Sequence, residues 1–109
     1  MSPEKAAMRF TVTIEPEFEP MIPRFMENRS KELAAMQAAL TRQDFESIRR
    51  LAHGLKGAGG SYGFDGLSTL GNEVEQAAKA ADETGVASGL SSIAAYLTGV
   101  EVTFGTYDR

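Results

Sequence analysis

The sequence of 109 residues is long enough for one domain, because two domains of half this length would each bury too little apolar surface. Hydrophobic residues make up 42% and charged residues 24%, which is typical of a folded globular chain. The absence of cysteine excludes disulfides, the single histidine, His53, excludes sites built from several histidines, and the net charge of −4 disfavours nucleic-acid binding. No apolar stretch is long enough to span a membrane and no signal peptide is visible, so we expect one domain over residues 1–109, located in the cytoplasm.

Residues 1–15 differ in pattern from the rest of the chain. Phe10, Val12 and Ile14 alternate with other residues as they would in a β-strand. Because the sequence shows no second strand to pair with this one, we expect residues 1–15 to form an N-terminal arm or a short extra helix. This segment would pack across one end of the remaining domain.

From residue 16 to residue 105, apolar residues recur every three or four positions, as in amphipathic helices. Four such segments are separated by short polar or glycine-rich connections. Short connections favour antiparallel neighbours, so we predict an all-α fold, an antiparallel up-down-up-down four-helix bundle. The segments are an apolar stripe over residues 22–40, a helix capped by Asp44, a helix from about Gly66 to Ala81, and a helix whose pattern runs from Val86 to Phe104.

The second predicted helix is unusually rich in glycine. Six of the eleven glycines lie between residues 54 and 66, although each glycine inside a helix costs about 0.5–1 kcal/mol relative to alanine. On a helical wheel Gly59 lies on the apolar face, where close helix packing explains it. Gly57 instead points about 180° away from the core direction set by Ile48. An outward glycine keeps the surface open, so we expect another protein to approach the helix here.

His53 lies on the exposed side of the same helix, about 140° from the core direction, and Lys56 follows one turn later. Residues 41–60 carry Arg49 and Arg50 and have a local net charge of +2, whereas the chain as a whole is acidic. The histidine therefore lies in the one basic part of the chain, which favours an acidic partner at this surface.

Residues 53–63, HGLKGAGGSYG, closely resemble the signature of histidine phosphotransfer (HPt) domains. In that signature the histidine is followed by lysine and glycine at +3 and +4, by small residues, and by glycines near +7 and +10. The resemblance covers about residues 16 to 105. It implies a phosphorelay intermediate that accepts a phosphoryl group on His53 and exchanges it with an aspartate of a receiver domain, in a response regulator or a hybrid histidine kinase.

The resemblance also implies roles for particular side chains. Lys56 matches the family lysine and would offset charge on the phosphoryl oxygens, although a solvated lysine is the alternative. Glu75 matches a position where family members often place a carboxylate or amide beside the histidine, and the helical wheel turns it outward. It would orient His53 by accepting a ring N–H, or it would instead pair with Lys79 one turn away. We expect the partner to contact Arg49, Arg50, Gly57, Gly60 and Ser61.

We expect no cofactor and no resident metal. The chain is too short to include an ATP-binding kinase domain, so the phosphoryl group has to come from another protein, and Mg²⁺ would be supplied by the acidic pocket of the partner receiver domain. Two other functions remain open: a non-catalytic helical interaction module, which would be a degenerate HPt domain, and the substrate domain of a histidine kinase acting in trans. We expect a monomer with no nucleic-acid or membrane partner.

Overall fold

The computed structural model describes residues 10–105, and four helices make up most of this range. No helix within it is both long enough and apolar enough to cross a membrane. The elements are, in chain order, β1 (Phe10–Ile14), a 3₁₀ helix (Pro16–Met21), α1 (Ile22–Thr41), α2 (Phe45–Tyr62), α3 (Asp65–Lys79), α4 (Glu83–Gly99) and β2 (Val100–Phe104).

The boundaries of α2 follow from capping interactions in the local sequence. The carboxylate of Asp44 accepts a hydrogen bond from the N–H of Ser47 at 3.1 Å, as the N-cap prediction requires, and Asp82 caps α4 in the same way. The helix ends at Gly63, whose φ of 93° is a left-handed conformation that glycine adopts without steric cost. Only Gly63 and Phe64 separate α2 from α3, so the chain reverses sharply and α3 runs back along α2.

The hydrophobic core lies between the four helices. α1 and α3 each contact both α2 and α4, so the helices enclose the core as a four-helix bundle. α2 and α3 are antiparallel. Leu55 lies against Gly71, whereas Gly59, which is later in α2, lies against Leu67, which is earlier in α3. This arrangement fits the up-down-up-down order. The largest fully buried helical side chains are Met36, Ile48, Leu55, Leu67, Val74, Val86 and Ile93.

Residues 10–14 of the predicted arm lie at one end of the bundle and form a paired strand, so they are neither an unpaired arm nor a short helix; residues 1–9 of the arm lie outside the described residues. β1 pairs in parallel with β2, with Phe10 opposite Val100 and Ile14 opposite Phe104. Ile14 is buried and its side chain lies beside Gly63, at the turn between α2 and α3. The two strands therefore close the end of the bundle.

The predicted extension of the fourth helix to Phe104 was wrong, because α4 ends at Gly99. Residues 100–104 fit a helical repeat and a strand alternation equally well. Their β-branched valines and threonine favour a strand, and Gly99 weakens the helix just before them. Pairing with β1, which is almost a full chain length away in sequence, decides between the two.

Candidate functional site

The spacing of α2 and α3 depends on two glycines. A β-carbon at Gly59 would lie 3.0 Å from the backbone nitrogen of Ser68, and one at Gly71 would lie 3.0 Å from the backbone nitrogen of Lys56. Contacts this short are rare for β-carbons, so larger residues would push the helices apart. The packing role predicted for Gly59 is confirmed, whereas the sequence analysis did not single out Gly71.

The only histidine of the chain lies at the outer edge of this helix pair, beside a buried carboxylate. The His53 side chain is 69% exposed, whereas that of Glu75 is only 6% exposed. The distance from His53 Nδ1 to Glu75 Oε2 is 3.0 Å, which is a hydrogen bond. An ionised carboxylate can only accept, so Nδ1 carries the proton and the neutral ring keeps its lone pair on Nε2. In the neutral ring, this contact therefore leaves the lone pair of Nε2 free.

Glu75 does not point into water, as its wheel position suggested, because α2 and its side chains cover it. Lys56 Nζ lies 3.6 Å from Oε1, and Lys79 Nζ lies 4.0 Å from Oε2. Burial acts to raise the pKa of Glu75, but the hydrogen bond from His53, the positive charge that this ring carries when it is protonated, and the charges of the two lysines outweigh it. The pKa therefore lies below its usual value of 4.5, and Glu75 is ionised at neutral pH. Glu75 contacts His53 and Lys79 at once, so the geometry allows both alternatives, and its role in orienting His53 stays a prediction.

Lys56 is oriented by α3 as well as by its own helix. Its Nζ donates a hydrogen bond to Oδ1 of Asn72 at 2.9 Å, and 39% of its side chain stays exposed. The sequence analysis missed Asn72. Asn72 lies one helical turn before Glu75, on the same face of α3, so it could have been identified if the register between α2 and α3 had been known. Asn72 and Glu75 of α3 thus both contact the Lys56 ammonium, which lies beside the same carboxylate that His53 contacts.

Close to His53, α2 has two glycines, Gly54 and Gly57, at exposed positions. A β-carbon at Gly54 or Gly57 would meet no atom of residues 10–105 within 4 Å, so helix packing explains neither glycine. The outward orientation predicted for Gly57 is confirmed, and Gly54 shares it. At Gly60 a β-carbon would make an ordinary contact at 3.7 Å with Ser68 Oγ. A partner can therefore approach the α2 backbone closely at Gly54 and Gly57.

The remaining residues expected to contact a partner lie on α2 at either end of this surface. Arg49 Nη2 lies 2.6 Å from Glu46 Oε2, and Arg50 Nη1 lies 3.8 Å from the same oxygen. Glu46 therefore offsets part of the positive charge that the sequence places near His53. Ser61 is exposed in the last turn of α2. No partner is bound at these residues, so their docking role stays a prediction.

The charge on Glu75 makes the stability of the fold depend on pH. Because its pKa is lower in the folded than in the unfolded protein, its contribution is present above about pH 4.5 and is lost as the pH falls below that value. We expect Glu75→Gln to lower the free energy of unfolding most at pH 7, and the difference from wild type to shrink in acid. Urea unfolding at several pH values measures this.

The matched control for that experiment is Glu73→Gln, which removes an exposed carboxylate from the same helix. Glu73 has no ion pair among residues 10–105, so its replacement should have little effect at any pH. A Glu75→Gln difference that stays constant from pH 7 to pH 3 would contradict the electrostatic account of Glu75.

Comparison with known protein families agrees with this geometry. The model of the Hpt domain family matches residues 20–102, which is most of the chain. The chain belongs to the Hpt domain family. No curated protein and no solved structure matches it significantly.

The Hpt assignment confirms the resemblance seen in the sequence and the helical-bundle fold. Hpt domains act in histidine phosphotransfer within two-component phosphorelays, where they interact with receiver domains. The matched range includes α1 to α4, and with them His53, Lys56 and Glu75, but it begins after β1. Within residues 10–105, no group of three or more candidate side chains is arranged to hold a metal ion.

Proposed function

We propose that this Hpt domain is a phosphorelay intermediate that accepts a phosphoryl group on Nε2 of His53 and exchanges it with an aspartate of a receiver domain. The receiver would belong to a response regulator or a hybrid histidine kinase. The observation that carries the proposal is the contact between an exposed histidine and a buried, ionised Glu75 at 3.0 Å. This contact leaves Nε2 free and nucleophilic while the rest of the ring is held in place.

The chemical step follows from this arrangement. The lone pair of His53 Nε2 attacks the phosphorus of the receiver's aspartyl phosphate, a P–N bond forms, and the P–O bond to the aspartate breaks. The aspartate leaves as a carboxylate, and the imidazole ring gains a positive charge. Glu75 stabilises that charge through the Nδ1–H hydrogen bond, so the same carboxylate orients the ring and favours the product. The reverse sequence returns the phosphoryl group to a receiver.

The charges around the histidine suit an anionic group. Glu75 by itself would repel the phosphoryl oxygens, but Lys56 and Lys79 lie on its two sides and together exceed its charge. The Lys56 ammonium is partly exposed, so it can contact a phosphoryl oxygen while Lys79 stays beside Glu75. Mg²⁺ would be held by the acidic pocket of the receiver and not by this chain.

The deciding experiment is phosphoryl transfer from a panel of phosphorylated receiver domains to the full chain. We expect at least one receiver to pass its label to the protein, in an acid-labile and base-stable form. A degenerate HPt domain would instead bind a receiver without taking up label. A substrate domain for a kinase acting in trans would take up label from ATP and a histidine kinase but from no receiver in the panel. Either of these results would contradict the proposal.

Lys56→Ala should slow transfer by about 10- to 100-fold, because about 1–3 kcal/mol of charge stabilisation is lost from the transition state. Rapid-quench measurement of label transfer from the receiver gives the rate. Lys56→Arg keeps the charge and should retain most of the rate.

The matched control for Lys56→Ala is Lys31→Ala, which removes an exposed lysine of α1 that pairs only with Glu27 among the described residues. It should transfer at the wild-type rate. Equal rates for Lys56→Ala and Lys31→Ala would show that Lys56 is a solvated lysine with no part in the reaction.

A further inference from the structure

The small sheet at the end of the bundle has one edge that the phosphotransfer function does not use. The N–H of Gly105 donates to the carbonyl of Ile14 at 3.1 Å, which shows that the even-numbered residues of β1 direct their backbone groups toward β2. Backbone direction alternates along a strand, so the N–H and C=O groups of Thr11 and Thr13 point to the opposite edge. Among residues 10–105, no backbone or side-chain group forms a hydrogen bond with them.

Within residues 10–105, this edge also lacks most of the features that usually keep strand edges from pairing. Natural proteins protect edges with lysine or other charges, proline, bulges or covering segments. β1 has the sequence FTVTI, in which every residue favours a strand and none is charged, proline or glycine. A two-stranded sheet gains stability from a third strand. The edge of β1 is therefore suited to pair with another extended segment.

A groove of about 360 Å³ runs along the same edge. One wall consists of residues 10–13 of β1. Gly66 packs against the ring of Tyr96, where a β-carbon would be 2.9 Å from Cε2, so the position has no room for a side chain on that side. The bundle residues that line the groove are Gly63, Asp65, Gly66 and Tyr96.

We propose that this edge groove binds an extended, basic segment of a partner protein, which adds to β1 as a third strand. Hydrogen bonds to Thr11 and Thr13 would supply affinity, and alternate apolar side chains of the segment would pack on the half-buried Phe10 and Val12, which line the groove. A basic residue fits because Asp65 is exposed in the groove and no lysine or arginine lines it. Residues 61–109, which include the four bundle residues of the lining, have a net charge of −5.

A second copy of this chain fits the edge groove less well than a single extended segment. The bundle extends beyond the β1 edge, because Gly63, Asp65 and Gly66 line the groove from the bundle side. The β1 strand of a second copy is backed by its own bundle. A single extended segment has no bundle of its own to place beside the groove.

The position of the edge groove suggests that it tethers the partner. Gly63 lies ten residues after His53 on α2, which is about 15 Å along the helix. A segment bound at the groove leaves the histidine uncovered, so the partner's catalytic domain can still reach it. Tethering of this kind raises the effective concentration of the second contact. The inference goes beyond the proposed function and does not rest on it.

The test uses a labelled synthetic peptide of alternating valine and threonine, seven residues long, with lysine at each end. Fluorescence anisotropy with the full chain should show saturable binding, and the amides of Thr11 and Thr13 should exchange at least tenfold more slowly when the peptide is bound. Thr13→Pro removes one edge N–H and should weaken binding at least tenfold. Thr13→Val is the matched control, since it removes the hydroxyl but keeps the N–H, and should bind as wild type. His53→Gln should also bind normally, which separates this test from the test of phosphotransfer.

Charge is tested in the same assay. A peptide with glutamate at each end should bind more weakly than the lysine peptide, and Asp65→Asn should reduce that difference. Absence of binding, or equal binding by Thr13→Pro and wild type with no change in amide exchange, would overturn the proposal. So would a dimer of the free protein that Thr13→Pro dissociates, since the occupant would then be a second copy. Binding seen only after deletion of residues 1–9 would overturn it as well.

Discussion

His53→Gln should abolish phosphorylation completely and leave the fold intact. His53 is the only histidine of the chain, and its side chain is 69% exposed, so no core packing is lost with it. Glutamine can still place an amide near Glu75, which also keeps its two lysine neighbours. We therefore expect the free energy of unfolding to change by less than about 1 kcal/mol. Label transfer from the active receiver, together with circular dichroism and thermal unfolding, measures both quantities.

Two results would contradict the assignment of His53. Acid-labile, base-stable phosphate on the His53→Gln protein would show that another group accepts the phosphoryl. A large loss of stability would show that the histidine has a structural role. Glu75→Gln in the same transfer assay separates the residue that orients the ring from the residue that accepts the phosphoryl group. This variant removes the carboxylate charge beside the ring but keeps Nε2 of His53, so it should slow transfer without abolishing it.

Gly57→Arg should reduce transfer by at least 100-fold while the domain stays folded. The structure has open space at this glycine, since a β-carbon there would meet no neighbouring side chain within 4 Å, so the arginine side chain can extend into solvent. The reacting atoms must approach to within about 3–3.5 Å, and a long side chain between receiver and helix prevents this. Replacing glycine inside a helix should also raise the free energy of unfolding, by about 0.5–1 kcal/mol for alanine. Stability and transfer should therefore change in opposite directions at this position.

The size series Gly57→Ala, Gly57→Gln and Gly57→Arg should show a graded loss of transfer, with alanine nearest to wild type. Ser91→Arg is the matched control, because it adds the same side chain to an exposed position of α4, a helix that does not border the His53 surface. It should transfer normally. Normal transfer by Gly57→Arg would show that receivers dock on another face of the bundle, and its unfolding would show that the glycine is a packing contact.

The sequence predicted the local features of this domain well because they depend on neighbours in the chain. Helical repeats and the N-cap at Asp44 require only residues within a turn or two. The wheel positions of Gly57 and Gly59 follow from the phase of a single helix, and the structure agrees with both. The motif that begins at His53 lies within that same helix, so the family resemblance was visible without any tertiary information.

Tertiary structure decided the features that join distant parts of the chain. The burial of Glu75 results from the approach of α2 and α3, which its own helix cannot show, and that approach in turn depends on Gly71. The hydrogen bond from Lys56 to Asn72 needs the register of the same hairpin. The two strands are the clearest case, because residues 100–104 fit either a helix or a strand, and hydrogen bonds to a partner 90 residues away in sequence select the strand. Such pairing energy depends on which segments meet in space, and no local pattern of side chains contains that information.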